Sequence, residues 1–303
     1  RINDYLIKPV NPNQILLSIK KNLEGKRLVN EKTTSSYQQK FRELSMDLQD
    51  DLDYYGWIEI YKRLVYWELQ FDKTDQSMLE VLQMQKNEAN QLFSKYVANN
   101  YVDWFNNDGP LMSHNLLKEK VFPKINNETT FLIVIDNLRY DQWQIIKQLL
   151  MENFTTQEES LYYSILPTAT QYARNALFAG LLPLEIQKKF PSKWKNEDDQ
   201  GSKNKFEQDF LNDNLSRNNI SCKSSYNKIT NLENGKKLVS NFSNLLTNQF
   251  NVVVYNFVDM LSHARTDMEV IRELADDESA YRSLTLSWFE HSALFDLFKL
   301  IAD

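Results

Sequence analysis

Thr129-Thr130-Phe131-Leu132-Ile133-Val134-Ile135-Asp136-Asn137-Leu138-Arg139-Tyr140-Asp141 is the stretch that decides the fold class. Its first seven residues are a continuous apolar, β-branched run, the pattern of a strand buried on both faces of a parallel sheet. Open α/β sheets bind ligands beyond the carboxyl ends of their strands, so an acidic residue there stands where a metal is held. Asp136 leaves the strand first and is the stronger candidate, while Asp141 falls about a turn into the next helix. Taken alone, Asp136 reads equally well as a helix cap.

The arrangement returns at Asn251-Val252-Val253-Val254-Tyr255-Asn256-Phe257-Val258, a second apolar strand, followed by Asp259-Met260-Leu261-Ser262-His263. A carboxylate and an imidazole four apart share one face if the segment turns helically. Oxygen plus nitrogen ligation suits zinc or manganese better than calcium. Of the other two histidines, His114 lies in a polar, loop-like region and His291 on an apolar helix. Short motifs of this kind also arise by chance. Between the two sites runs Ser164-Ile165-Leu166-Pro167-Thr168-Ala169-Thr170-Gln171-Tyr172-Ala173-Arg174, a strand meeting Pro-Thr-x-Thr and then a helix that Gly180 ends. A hydroxyl at a helix start faces free N–H groups and the positive dipole end, which favour an alkoxide and a phosphate oxygen. Thr170 fits that place as a nucleophile; the alternative is that it caps the helix.

Outward from this region, the polar stretch Pro191–Lys205 reads as an exposed loop or a lid. Residues 36–106 hold almost no Gly or Pro and repeat apolar residues at three- and four-residue spacing, as in Trp57, Ile60, Leu64 and Trp67. They read as a helical bundle whose aromatics, Trp57, Trp67 and Trp104 among them, form core. Asn107-Asp108-Gly109-Pro110 breaks the pattern. At the start, Asp4-Tyr5-Leu6-Ile7-Lys8-Pro9-Val10 is a short strand, and Asn11-Pro12 opens an amphipathic helix. A strand, a Lys-Pro and a helix resemble the closing unit of a bacterial response-regulator receiver domain, with Lys8 at the position that contacts the phosphorylated aspartate. An unrelated βα unit is the alternative.

Composition sets the bounds. At 303 residues, 42% hydrophobic and 25% charged, the chain reads as a soluble multidomain protein with no membrane span. A single cysteine, Cys222, forms no internal disulfide, and no export signal is visible, so the cytoplasm is the expected compartment. A net charge of −6 argues against a broad nucleic-acid-coating surface but leaves room for a local pocket for an anion. Arg1 as first residue suggests a fragment.

Together these pieces resemble the alkaline phosphatase superfamily, in its PglZ branch, joined as in PorX-type response regulators. The resemblance implies a fold of α/β class: a truncated alkaline-phosphatase-like α/β/α sandwich, preceded by a helical bundle and the last βα unit of a receiver. The expected division is residues 1–28 for the receiver end, 29–108 for the bundle or linker and 109–303 for an incomplete PglZ domain. By resemblance, Asp136 and Thr170 hold one metal and Asp259 and His263 the other, with two zinc ions, or manganese, in the complete domain. Asn137 and Arg139 become candidates for the substrate phosphate, a surface salt bridge being the alternative for Arg139. The implied activity is hydrolysis of a nucleotide-type phosphodiester. The implied partners are a sensor histidine kinase, a transcription or type IX secretion protein, and a second copy in a homodimer.

The superfamily also needs an Asp-His dipeptide and a last histidine, and nothing after His263 supplies them; His291 follows Glu290. The expectation is therefore half of a two-metal site. The rival from another class is a catalytically silent signalling module that binds a partner protein after phosphorylation-driven dimerisation.

Overall fold

Apolar residues one helical turn apart wind residues 34–47 into a helix, α1, whose Tyr37 and Leu44 are buried. The computed structural model describes residues 15, 18, 34–71, 76–106, 109–126, 128–196 and 198–303; Lys8 and nearly all of the expected receiver end lie outside them. Two units divide at Asp108 and Gly109. In the first, α1 is followed by α2 (Tyr54–Gln70) and α3 (Gln76–Asn100). Asp53 caps α2, its carboxylate accepting the Gly56 N–H at 2.8 Å. Trp57 and Trp67 are buried among Leu44, Leu64 and Leu82, and the half-buried Trp104 ring lies 5.9 Å from Tyr96. The Tyr37 hydroxyl donates to Gln85 at 3.2 Å, and Gln85 donates to Ser45 on α1 at 3.0 Å, so one buried polar relay ties α1 to α3. Burial pushes the Tyr37 phenol up to about 12.

The second unit is built on three parallel strands, β1 (Thr130–Ile135), β2 (Ser224–Ile229) and β3 (Phe250–Tyr255), in the order β1-β3-β2. Ile135 and Ile229 both register with Tyr255, so the three carboxyl ends finish level. Valines at 252–254 make β3 fully buried, the core of the unit. The helices are α4 (Tyr140–Leu150), α5 (Thr170–Ala179), α6 (Pro183–Lys189), α7 (Glu207–Arg217), α8 (Leu232–Ser240), α9 (Phe242–Leu245), α10 (Phe257–Asp267), α11 (Glu269–Leu274), α12 (Glu278–Glu290) and α13 (Ala293–Ala302). Val253 and Tyr255 share one apolar cluster with Ile146 of α4, Leu238 of α8, Phe289 of α12 and Leu297 of α13. Tyr226, level with Val252 on the opposite face, meets Phe178 of α5 and Glu207 of α7. Helices thus cover both faces of the sheet, giving the expected α/β/α sandwich.

Four details differ from the sequence reading. β1 is half-buried, because among the described residues it pairs only with β3 and so lies at an edge. β3 stops at Tyr255 instead of Val258, since α10 begins at Phe257; Asp259 therefore sits in the first turn of a helix. The strand expected before Pro167 shrinks to one bridge, Met112 with Tyr163. β2 went unread, because Ser-Ser-Tyr-Asn-Lys-Ile lacks an apolar run.

Candidate active site

Level strand ends put Asp136 and Asn256 side by side at the carboxyl edge of the sheet. The Asp136 N–H donates to the Tyr255 carbonyl at 2.8 Å, and the Asn256 N–H to the Ile229 carbonyl at 3.1 Å, so both backbones are held by continuing ladder bonds. Asn137 then takes a left-handed conformation, φ 60°, which asparagine tolerates better than most residues and which turns the chain toward α4. Its side chain is exposed at the rim.

The Asp136 carboxylate is nearly buried and accepts two hydrogen bonds, both on Oδ2: one from Arg174 Nη1 and one from Asn256 Nδ2 at 3.4 Å. Arg174 stands four residues after Thr170 on α5, hence on the same side of that helix. The rest of its guanidinium is spent on Glu207: Nε donates to Oε1, and Nη2 to Oε2 at 3.3 Å. Glu207 is fully buried and also accepts from Tyr226 Oη at 2.6 Å and Lys228 Nζ at 3.4 Å. Burial works against the Arg174 charge, but Glu207 and Asp136 outweigh it and hold the guanidinium cationic. Burial, together with the Glu207 charge, pushes the Tyr226 phenol far up, so it acts as a donor.

Thr170 is the first residue of α5, with the helix's free N–H groups at its own end. Among the described residues its hydroxyl makes no hydrogen bond. Asp259 and His263 lie one turn apart on α10, with Oδ1 and Nε2 separated by 3.7 Å and the imidazole largely exposed. Burial raises the Asp259 carboxyl above the usual range, the Asp136 charge raises it further, and His263 and Arg174 pull it back. That coupling brings Asp136, Asp259, His263 and Arg174 into one electrostatic neighbourhood.

Arg139 is directed elsewhere. It donates to Asp141 at 3.0 and 2.7 Å and to Glu278, and its guanidinium lies 5.2 Å from the Tyr281 ring centre. Asp141 is a buried anchor: burial raises its carboxyl, but Arg139 and Arg282 more than reverse this and hold it below the ordinary range. His291 is exposed at the end of α12, its Nδ1 2.8 Å from the Ser287 carbonyl, and burial lowers the His114 imidazole.

The donor set at the strand ends suits a borderline divalent cation in kind: carboxylate oxygens of Asp136 and Asp259 and the imidazole of His263. It is incomplete in number. Among the described residues no three Asp, Glu, His or Cys side chains stand close enough to enclose an ion. Sequence reasoning missed Arg174, Glu207 and Asn256. A charged residue one turn after Thr170, in a helix otherwise rich in Ala, Leu and Phe, was the available signal for Arg174. Nothing distinguished Glu207 from the solvated acids before it.

Comparison with known families agrees with this architecture. The model described as the PorX response regulator linker domain matches residues 27–105. The one described as the BREX system PglZ alkaline phosphatase-like domain matches residues 116–302, more than half of the chain. No curated protein matches. With a level strand-end aspartate, a helix-opening threonine and an Asp-x-x-x-His turn on a parallel sheet, the chain belongs to the PglZ alkaline phosphatase-like family and joins that domain to a PorX-type response-regulator linker.

Proposed function

We propose that the chain is the linker and output region of a two-component response regulator whose PglZ domain is a metal-dependent phosphodiesterase, acting in the cytoplasm on a nucleotide-type phosphodiester. What supports this reading is Asp136 at the carboxyl edge of the sheet, bonded by Arg174 from the helix that Thr170 opens, with the Asp259–His263 pair one turn apart on α10 and Asp259 near enough to feel the Asp136 charge. Asp136 with Thr170 would hold one cation and Asp259 with His263 another, zinc being the expected metal and manganese the alternative. When bound, such ions stabilise charge on the attacking and leaving oxygens.

The chain's own residues do the rest. Thr170 Oγ1 forms a bond to phosphorus in line with the ester oxygen that leaves, losing its proton to solvent; the leaving alkoxide takes up a proton. Water then cleaves the phosphothreonine ester, freeing the hydroxyl. The N-terminus of α5 faces the phosphoryl oxygens. Asn137 meets the substrate at the rim, and Arg139 reaches a phosphate only by exchanging its contact with half-exposed Glu278.

In the same reading, residues 1–28 close a receiver in which Lys8 is the switch lysine, residues 29–108 link it to the output domain at 109–303, and a sensor histidine kinase supplies the signal. Phosphorylation then favours a homodimer, and a transcription or type IX secretion protein is the downstream partner. Thr170→Ala tests the chemistry: metal-dependent hydrolysis of bis(p-nitrophenyl) phosphate falls at least about 10³-fold with Tm little changed. An unchanged rate refutes the mechanism. The absence of three converging donors among the described residues favours a second reading, a silent module that binds a partner protein; a full-length preparation with less than stoichiometric zinc or manganese, and no loss of stability on chelation, would favour it further.

A further inference from the structure

Stability alone does not account for the ion pair between Arg174 and Glu207. Both side chains are almost wholly buried, 6% and 1% exposed, and burying two charges costs about as much as their attraction returns; apolar residues of similar volume stabilise as well or better. What the pair does provide is direction. Glu207 is fixed by donors from Arg174, Tyr226 and Lys228, and Lys228 is itself held by Asn204 at 2.9 Å. Anchored in this way, Arg174 presents its remaining nitrogen, Nη1, to Asp136. Asn256 bonds the same oxygen, Oδ2. Among the described residues Oδ1 accepts no hydrogen bond, so it is the atom left for a ligand.

We infer that Arg174, clamped by Glu207, is a positioning residue that holds Asp136 with Oδ1 turned toward a divalent cation, and that Glu207 sets the charge of the site. The inference rests on the metal-dependent reading above and extends it to two residues that touch neither cation nor substrate. Supporting hydrogen bonds to a ligating carboxylate matter because a ligand that must find its orientation binds more weakly. Charge adds a second effect. Arg174 and Lys228 face three carboxylates, Asp136, Asp259 and Glu207, leaving one negative charge in excess before a cation arrives. Neutralising Glu207 removes that excess and leaves Arg174 with Asp136 as its one remaining carboxylate partner.

The two effects are separable in the purified protein, with zinc affinity measured by competition against a chromophoric chelator and inorganic phosphate binding measured by calorimetry. Replacing both partners, Arg174→Met with Glu207→Met, leaves the net charge unchanged and removes both members of the buried pair together, Asp136 keeping Asn256 and Lys228 keeping Asn204; circular dichroism and Tm check that the variant is folded. Zinc affinity should nevertheless fall about 10- to 100-fold, the range for lost supporting contacts to a metal ligand. Glu207→Gln should weaken zinc and tighten phosphate, opposite signs that a general loss of structure does not produce. If wild-type protein binds zinc, and the double variant binds it equally well while Glu207→Gln shifts neither ligand, the positioning role is wrong and the metal reading stands. If wild-type protein binds no zinc, the metal reading fails and this inference falls with it.

Discussion

Glu159 shows how much of this structure hangs on single carboxylates that no motif reveals. It accepts hydrogen bonds from Tyr140, Trp143, Gln144 and Lys147, and so ties the segment after α4 back onto that helix. Burial alone would raise its carboxyl, but the four donors outweigh burial and bring it down to about 2. A depressed carboxyl stabilises the fold above the ordinary carboxylate range and loses that contribution as pH falls through its own value. Glu159→Gln should therefore cost about 1–2 kcal/mol at neutral pH, allowing for solvent screening. The gap to wild type should close as pH falls toward 2 in urea titrations. A gap that is independent of pH would show that the charge plays no part. Legibility at this scale followed position. Asp136, Thr170 and Asp259 could be singled out because each sits where an apolar run stops or a helix begins, and His263 because it follows Asp259 by one turn. Arg174, Glu207 and Glu159 matter only through partners distant in sequence, and local pattern carries no record of those.

Among the elements, α5 carries the heaviest load, since it begins at Thr170, supplies Arg174 and must stop cleanly at Gly180. Gly180 has φ 58°, and a Cβ there would come within 2.5 Å of Asn214, whose amide donates to the Phe178 carbonyl at 3.0 Å. Gly180→Ala should cost about 2–3 kcal/mol, the left-handed strain plus displacement of Asn214. Gly201→Ala has positive φ but open surroundings and should cost only the backbone part. Equal losses in chemical denaturation would show that the Asn214 contact is immaterial. The glycine stop was readable because helix ends have their own residue chemistry. β2 was not, because its polar residues are satisfied from outside the strand: Ser225 donates to Asn251 at 2.6 Å, while Tyr226 and Lys228 reach Glu207. The same limit explains the end of β3, where an apolar run passes from strand into helix at Phe257 without any change in hydrophobicity.

For the whole molecule, the family assignment and the geometry converge on a response-regulator linker followed by a phosphoesterase-type domain. Among the described residues no helix is long and apolar enough to cross a membrane. The sheet order, by contrast, was invisible in the sequence, since which strand lies between the others is set by long-range pairing. If cations bind the folded domain, zinc at about 100 times its Kd should stabilise it by about 2.7 kcal/mol, seen as a rise in Tm that a chelator reverses. No response of Tm to zinc or manganese would point to the partner-binding module instead. Anomalous scattering at the zinc edge from crystals of the zinc-loaded protein tests the central claim most directly. Peaks are expected within bonding distance of Asp136 Oδ1 and of the Asp259–His263 pair, beside the start of α5. Zinc bound only elsewhere, with Arg174 still the sole charge on Asp136, would contradict it.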